Sequence, residues 1–166
     1  ANDDILFHDG AIVRALTHLL KTPTCGAVAF MDNRRAPGYD TDDFKVQTIR
    51  AVRDGRPVDV PYAQVGMFRK QLGDVAGWWG SNDPLMGEVH TYGGDAYLSA
   101  RLWEMGYSVD AVEGVVCTDR VAPDSLRQRN HEVEQRIGSA YYRRYPNGVP
   151  LNTPAEPEPE RLRILY

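Results

Sequence analysis

Residues 5–30 read ILFHDGAIVRALTHLLKTPTCGAVAF, and the change of pattern within them sets the fold class. Ile5-Leu6-Phe7 is a short apolar run of strand character, and His8-Asp9-Gly10 supplies a turn. Ile12, Val13, Leu16, Leu19 and Leu20 then recur at helical spacing, which predicts an amphipathic helix with these residues inward. Pro23 stops the helix, and Cys25 to Phe30 is a second apolar run between a turn and Asp32, expected to be a buried strand. Strand, helix, strand in this order predicts a βαβ unit and an α/β fold with a mixed, mostly parallel sheet flanked by helices.

Downstream the pattern is more broken. Phe44, Val46, Ile49 and Val52 predict a short amphipathic helix over 42–53, Val58 to Phe68 is β-prone, and Lys70 to Ala76 suits one or two helical turns. Gly77-Trp78-Trp79-Gly80-Ser81-Asn82-Asp83-Pro84 has loop composition. Gly93-Gly94-Asp95 opens a further helix with Leu98, Leu102 and Met105 inward and Gly106 at its end. Val109 to Cys117 reads as a strand or hairpin, and a long helix is expected from Pro123 to about Tyr145. We divide the chain into a domain over 1–145 and a Pro/Glu-rich extended tail over 146–166.

The 166 residues carry a net charge of −4, and their arginines are scattered rather than clustered, which predicts no nucleic-acid partner. No apolar run approaches the roughly 20 residues of a membrane span, and Cys25 and Cys117, inside apolar runs and without metal-ligand spacing, read as buried thiols of a reducing compartment. A cytoplasmic location follows as the expectation. The opening Ala1-Asn2-Asp3-Asp4-Ile5, with no Met and no polar lead-in, predicts a part of a longer polypeptide.

Four features suit chemistry, each with a plainer alternative. Asp3 and Asp4 adjoin the first strand, where open α/β sheets place ligands; paired carboxylates there suit a hard divalent cation, or are a solvated pair. Asp95 suits a general base, or a helix N-cap. Trp78 and Trp79 offer indole faces to sugar rings, or pack inward. His90 has hydrogen-bonding reach towards a ligand, or a structural role; His8, His18 and His131 show no pairing pattern. A zinc spacing, a Gly-x-Ser-x-Gly elbow, a Walker loop and a Gly-x-Gly-x-x-Gly motif are all absent from the sequence.

Taken in order, these segments resemble family 2 glycosyltransferases of the GT-A type. Asn2-Asp3-Asp4-Ile5 resembles their Asp-x-Asp-type motif, and the helix, Pro23 and Cys25 to Phe30 are similar to the passage that follows it. Val65-Gly-Met-Phe-Arg-Lys70 with Leu72-Gly-Asp-Val-Ala-Gly77 resembles the strand, Arg-rich turn and short helix ending in glycine. The most specific match is Tyr92-Gly-Gly-Asp-Ala-Tyr-Leu-Ser-Ala-Arg-Leu-Trp-Glu-Met-Gly-Tyr107, similar to Glu-Asp-x-Asp-Leu-x-x-Arg-Leu-x-x-x-Gly-Tyr.

The resemblance spans about residues 1–145 and implies a GT-A-like domain without the first nucleotide-binding strands. It implies Asp95 as catalytic base, Asp4 as metal ligand and Asp3 as donor or metal contact, with Mn²⁺ or Mg²⁺ as cofactor. Trp78, Trp79 and His90 would then face the acceptor, and Asp119 would stand where the family often has a metal-binding histidine. The implied reaction is inverting transfer of a sugar from a nucleotide-diphosphate donor to a carbohydrate, protein-linked or lipid-linked acceptor, with a partner chain to supply the missing nucleotide-binding half. Gly94 and Tyr97 depart from the family's acidic residues, and a noncatalytic carbohydrate-binding or assembly domain of the same descent is the alternative.

Overall fold

The computed structural model describes residues 5–35, 43–78, 94–120 and 142–152. Its elements are β1 (Ile5–Phe7), α1 (Ala11–Lys21), β2 (Cys25–Arg35), β3 (Thr48–Arg53), β4 (Arg56–Pro61), β5 (Gly66–Phe68), α2 (Lys70–Ala76), α3 (Gly94–Glu104), β6 (Ser108–Arg120) and β7 (Val149–Pro150). The expected α/β class holds. The described part of the predicted helix ending near Tyr145 is residues 142–145, of which only 142–144 are helical.

One sheet has the order β1-β6-β2-β5. β2 and β6 run parallel, whereas β1 on β6 and β5 on β2 are antiparallel. The sheet is therefore mixed, but its described pairings are not mostly parallel. The expected βαβ unit is also corrected: β6 lies between β1 and β2, and β1 runs opposite to both. Pattern in residues 5–30 fixes the kind and order of elements, whereas their polarity depends on β6, a strand far along the chain that inserts between them.

The two faces of this sheet carry separate cores. Cys25, Val28 and Phe30 pack with Ala11, Ala15 and Leu19 of α1 and with Val115 and Cys117 of β6. Ala27 and Ala29 pack on the other face with Leu72 of α2, Leu102 of α3 and Val109 of β6. Cys25 and Val28 share a face despite their odd spacing because the β2–β6 register shifts between Cys25 and Ala27. Gly26 sits at this irregularity, where an added Cβ would stand 3.0 Å from a methyl of Leu102, so glycine lets α3 approach closely.

The inward face of α1 differs from the expectation. Ala11, Ala15 and Leu19 are buried, whereas Ile12, Val13, Leu16 and Leu20 are exposed. Alanines at four-residue spacing bring the helix axis near the sheet, and the larger residues are turned outward.

The helix expected over 42–53 is also replaced. Residues 43–47 form no helix; Lys45 is bridged to Asp32, and β3 begins at Thr48. β3 and β4 form an antiparallel hairpin closed by Asp54-Gly55, both at positive φ. Left-handed geometry at two central residues is what a tight hairpin requires, and Asp-Gly adopts it readily. β7 pairs parallel with the other edge of β3, Ala51 facing Val149, which makes a second sheet β4-β3-β7.

This second sheet has its own core of Ala51, Val60, Ala100, Tyr145 and Val149. Tyr145 donates to Glu104 at 3.0 Å, and Asn152 reaches the Glu104 carbonyl with its side-chain amide. Residues 146–152, assigned by composition to an extended tail, are extended at β7 yet packed against α3. Among the described residues, no helix is long and apolar enough to cross a membrane.

Candidate functional site

The parallel pair defines a carboxyl end, reached at Arg35 and Arg120. In open α/β sheets the ends of parallel strands are left open by the crossing helices and collect ligand-binding residues. Three features converge on this end.

The first is the path of α3. Leu102 packs over Gly26 near the start of β2. One turn earlier, Ser99 accepts the Ala63 N–H at 3.0 Å, and Ala63 abuts Gly66, the partner of Ala29. Moving back along α3 thus moves forward along β2, and Asp95, a further turn back, lies towards the carboxyl end. Asp95 occupies the first turn of α3, where its Oδ1 accepts the Ala96 N–H at 2.9 Å. It is half-buried, at the positive end of the helix. The capping alternative is thereby modified: Asp95 binds helix backbone from within the first turn, after Gly94.

The second is the register of β1. Ile5 is the partner of Asp119 on β6, so Asp4 is one covalent step from that pair. His8 extends the same seam, sharing a 2.9 Å hydrogen bond with Thr118 and meeting the Phe44 ring edge to face. Asp3 and Asp4 lie outside the described residues, as do Trp79 and His90, and for Asp119 the description is of the backbone.

The third was not foreseen in the sequence. Asn33 pairs across the parallel ladder with Thr118; both are buried, and Asn33 Oδ1 has no hydrogen-bond partner among the described residues. Alternation from Phe30, which faces α1, puts Asn33 on the α2/α3 face with Ala27 and Ala29. A buried amide oxygen left without a donor costs about 1–3 kcal/mol, and none of the described residues supplies one to Asn33. Its only sequence signal was a polar residue continuing an apolar strand.

Trp78 has a defined place. Its Nε1–H donates to Asp74 Oδ1 at 2.6 Å, its ring meets Phe68 edge to face, and the ring lies over Gly73. Of its two readings, inward packing against α2 and β5 accounts for these contacts. Hydrogen bonds from Lys70, then from Trp78, hold the Asp74 carboxyl below its usual range.

The described residues at this end offer oxygen donors: Asn33 Oδ1 is available, and Thr118 Oγ1 is beside it on the neighbouring strand. Oxygen is the donor type that hard divalent cations and sugar hydroxyls share as a partner. The chain matches no family model, no curated protein and no solved structure.

Proposed function

We propose that this chain is the metal- and acceptor-side portion of a GT-A glycosyltransferase resembling family 2, moving a sugar from a nucleotide-diphosphate donor to an acceptor hydroxyl. The observation that supports this reading most is the convergence of the first turn of α3, bearing Asp95, and the Ile5–Asp119 register on one end of the parallel pair.

In this reading Asp95 takes the proton of the acceptor hydroxyl as that oxygen bonds to the anomeric carbon of the donor. The bond from that carbon to the diphosphate breaks, the diphosphate keeps the electron pair, and the configuration inverts. Asp4 and Asp119 would hold Mn²⁺ or Mg²⁺, which supplies positive charge opposite the departing diphosphate. The Asn33 oxygen, which has no partner among the described residues, accepts a hydrogen bond from the bound sugar or nucleotide in this reading.

Calorimetric titration with UDP, with and without Mn²⁺, and then with other nucleoside diphosphates tests the donor site. Metal-dependent binding that is lost in Asp119→Asn supports it. Absence of binding to every nucleoside diphosphate overturns a donor site within this chain and leaves either a half that needs its partner chain or a noncatalytic carbohydrate-binding domain. Asp95→Asn keeps the oxygen that receives the Ala96 N–H, so it is expected to bind donor normally while sugar transfer falls by about a hundredfold or more.

A further inference from the structure

At the opposite, amino end of the same strands, three side chains of metal-binding type meet. His18 is on the last turns of α1, Cys25 is the first residue of β2 and Asp110 is near the start of β6. His18 Nε2 and Asp110 Oδ2 are 2.6 Å apart, and with Cys25 Sγ all three donor atoms lie within 4.8 Å of one another. Asn33 is eight positions further along β2, roughly 26 Å at strand rise, so this cluster is separate from the carboxyl-end site.

We propose that His18, Cys25 and Asp110 form a three-ligand Zn²⁺ site that is independent of the glycosyltransferase reading. Thiolate, imidazole and carboxylate together suit zinc better than Mg²⁺ or Ca²⁺, which take oxygen ligands. In a tetrahedral zinc site, with bonds of about 2.0–2.3 Å, neighbouring ligand atoms stand roughly 3.3–3.6 Å apart. Reaching that geometry requires side-chain rotations that open the 2.6 Å His18–Asp110 pair and bring Cys25 Sγ, now within 4.8 Å of both, to the same spacing. On binding, the S–H bond of Cys25 is exchanged for an S–Zn bond and the proton leaves to solvent. Thiolate and carboxylate then balance the two charges of the ion.

The scaffold holds these ligands in place. Arg69 donates from Nε to the Cys25 carbonyl at 2.7 Å and from its terminal nitrogen to the carbonyls of Leu19 and Thr22. Thr22 N–H bonds to His18 O, Cys25 N–H to Thr22 O and Ser108 N–H to Thr24 O, each at 2.9 Å. The corner joining α1, β2 and β6 is therefore tied at every step, as ligand positions on rigid elements require.

Access is one-sided. Cys25 is fully buried, whereas the His18 and Asp110 side chains are 30% and 27% exposed. A surface groove lined by Val13, Arg14, Thr17, His18, Lys21 and Val112 opens on the His18 side of the cluster. Without metal, burial first and then the charge of Asp110 push the Cys25 thiol up to about 12, so it is not poised as a nucleophile.

Cobalt(II) titration of the full chain reads the site directly. The expected result is one equivalent bound, with a thiolate-to-cobalt charge-transfer band that zinc abolishes by displacement. Cys25→Ser should remove the band and Cys117→Ser should retain it. Because Cys25 is buried, His18→Ala, at a part-exposed position, serves if Cys25→Ser does not fold; it should weaken binding at least about tenfold. The absence of a charge-transfer band in the unaltered chain, or a band of unchanged affinity in His18→Ala, overturns the proposal.

Discussion

Asn33 and Thr118 stand side by side across the parallel β2–β6 ladder, and the Asn33 side-chain oxygen is buried there without a described donor. Replacing an unsatisfied polar group with an apolar one of similar volume removes a desolvation cost. Asn33→Leu is therefore expected to leave stability unchanged or raise it by about 1–3 kcal/mol, measured by urea denaturation. Calorimetry should show the same variant binding UDP with Mn²⁺ more weakly. A loss of stability would mean that the side chain is already satisfied.

On α1 the two faces predict opposite outcomes. Leu19→Ala should cost about 2–4 kcal/mol, because Leu19 fills the core between helix and sheet. Leu16→Gln, at a position 49% exposed, should change stability by less than about 0.5 kcal/mol. Equal costs in chemical denaturation would restore the inner row inferred from spacing.

Gly73 reverses a familiar rule. Within a helix, Gly→Ala normally stabilises by up to about 1 kcal/mol. In α2 an added Cβ would collide with the Trp78 ring, which is tethered to Asp74. Gly73→Ala is expected to destabilise by about 1–3 kcal/mol and to shift Trp fluorescence. In the Trp78→Ala background the same substitution should become neutral or stabilising.

These examples show what was legible in the sequence. The α/β class, β1, α1, β2, α2 and α3 follow from apolar runs and breakers. The inner face of α1 does not, because Ala11 and Ala15 look neutral in sequence and gain their role only through close approach to the sheet. Residues 44–52 have apolar spacing that fits either a helix or strands; the Asp54-Gly55 pair was the deciding signal, since both residues take positive φ in the hairpin. Asp95 at the start of α3 could be read locally. Asn33 and the His18–Asp110 contact, 92 residues apart in sequence, depend on which strands become neighbours.

Tyr145 supplies a pH dependence. Burial first, with Glu104 adding to it, raises its phenol above the ordinary range, although Arg144 acts in the other direction. Between the ordinary value near 10 and the raised one, the folded chain keeps a proton that the unfolded chain has lost. Its contribution is therefore complete below about pH 10 and is lost as pH rises through the folded pKa. Tyr145→Phe should flatten this alkaline decline in thermal stability; an identical decline in the variant would assign it to other groups.

The pairing of Val149 with Ala51 has a practical consequence for where the chain is cut. Removing everything after Tyr145 would leave one side of β3 with bare amides and carbonyls, a template for pairing with another molecule. It would also take Val149 out of its contact with Ala51, Val60 and Ala100. A shortened version intended to stay monodisperse should keep Asn152, so that the hairpin retains its third strand.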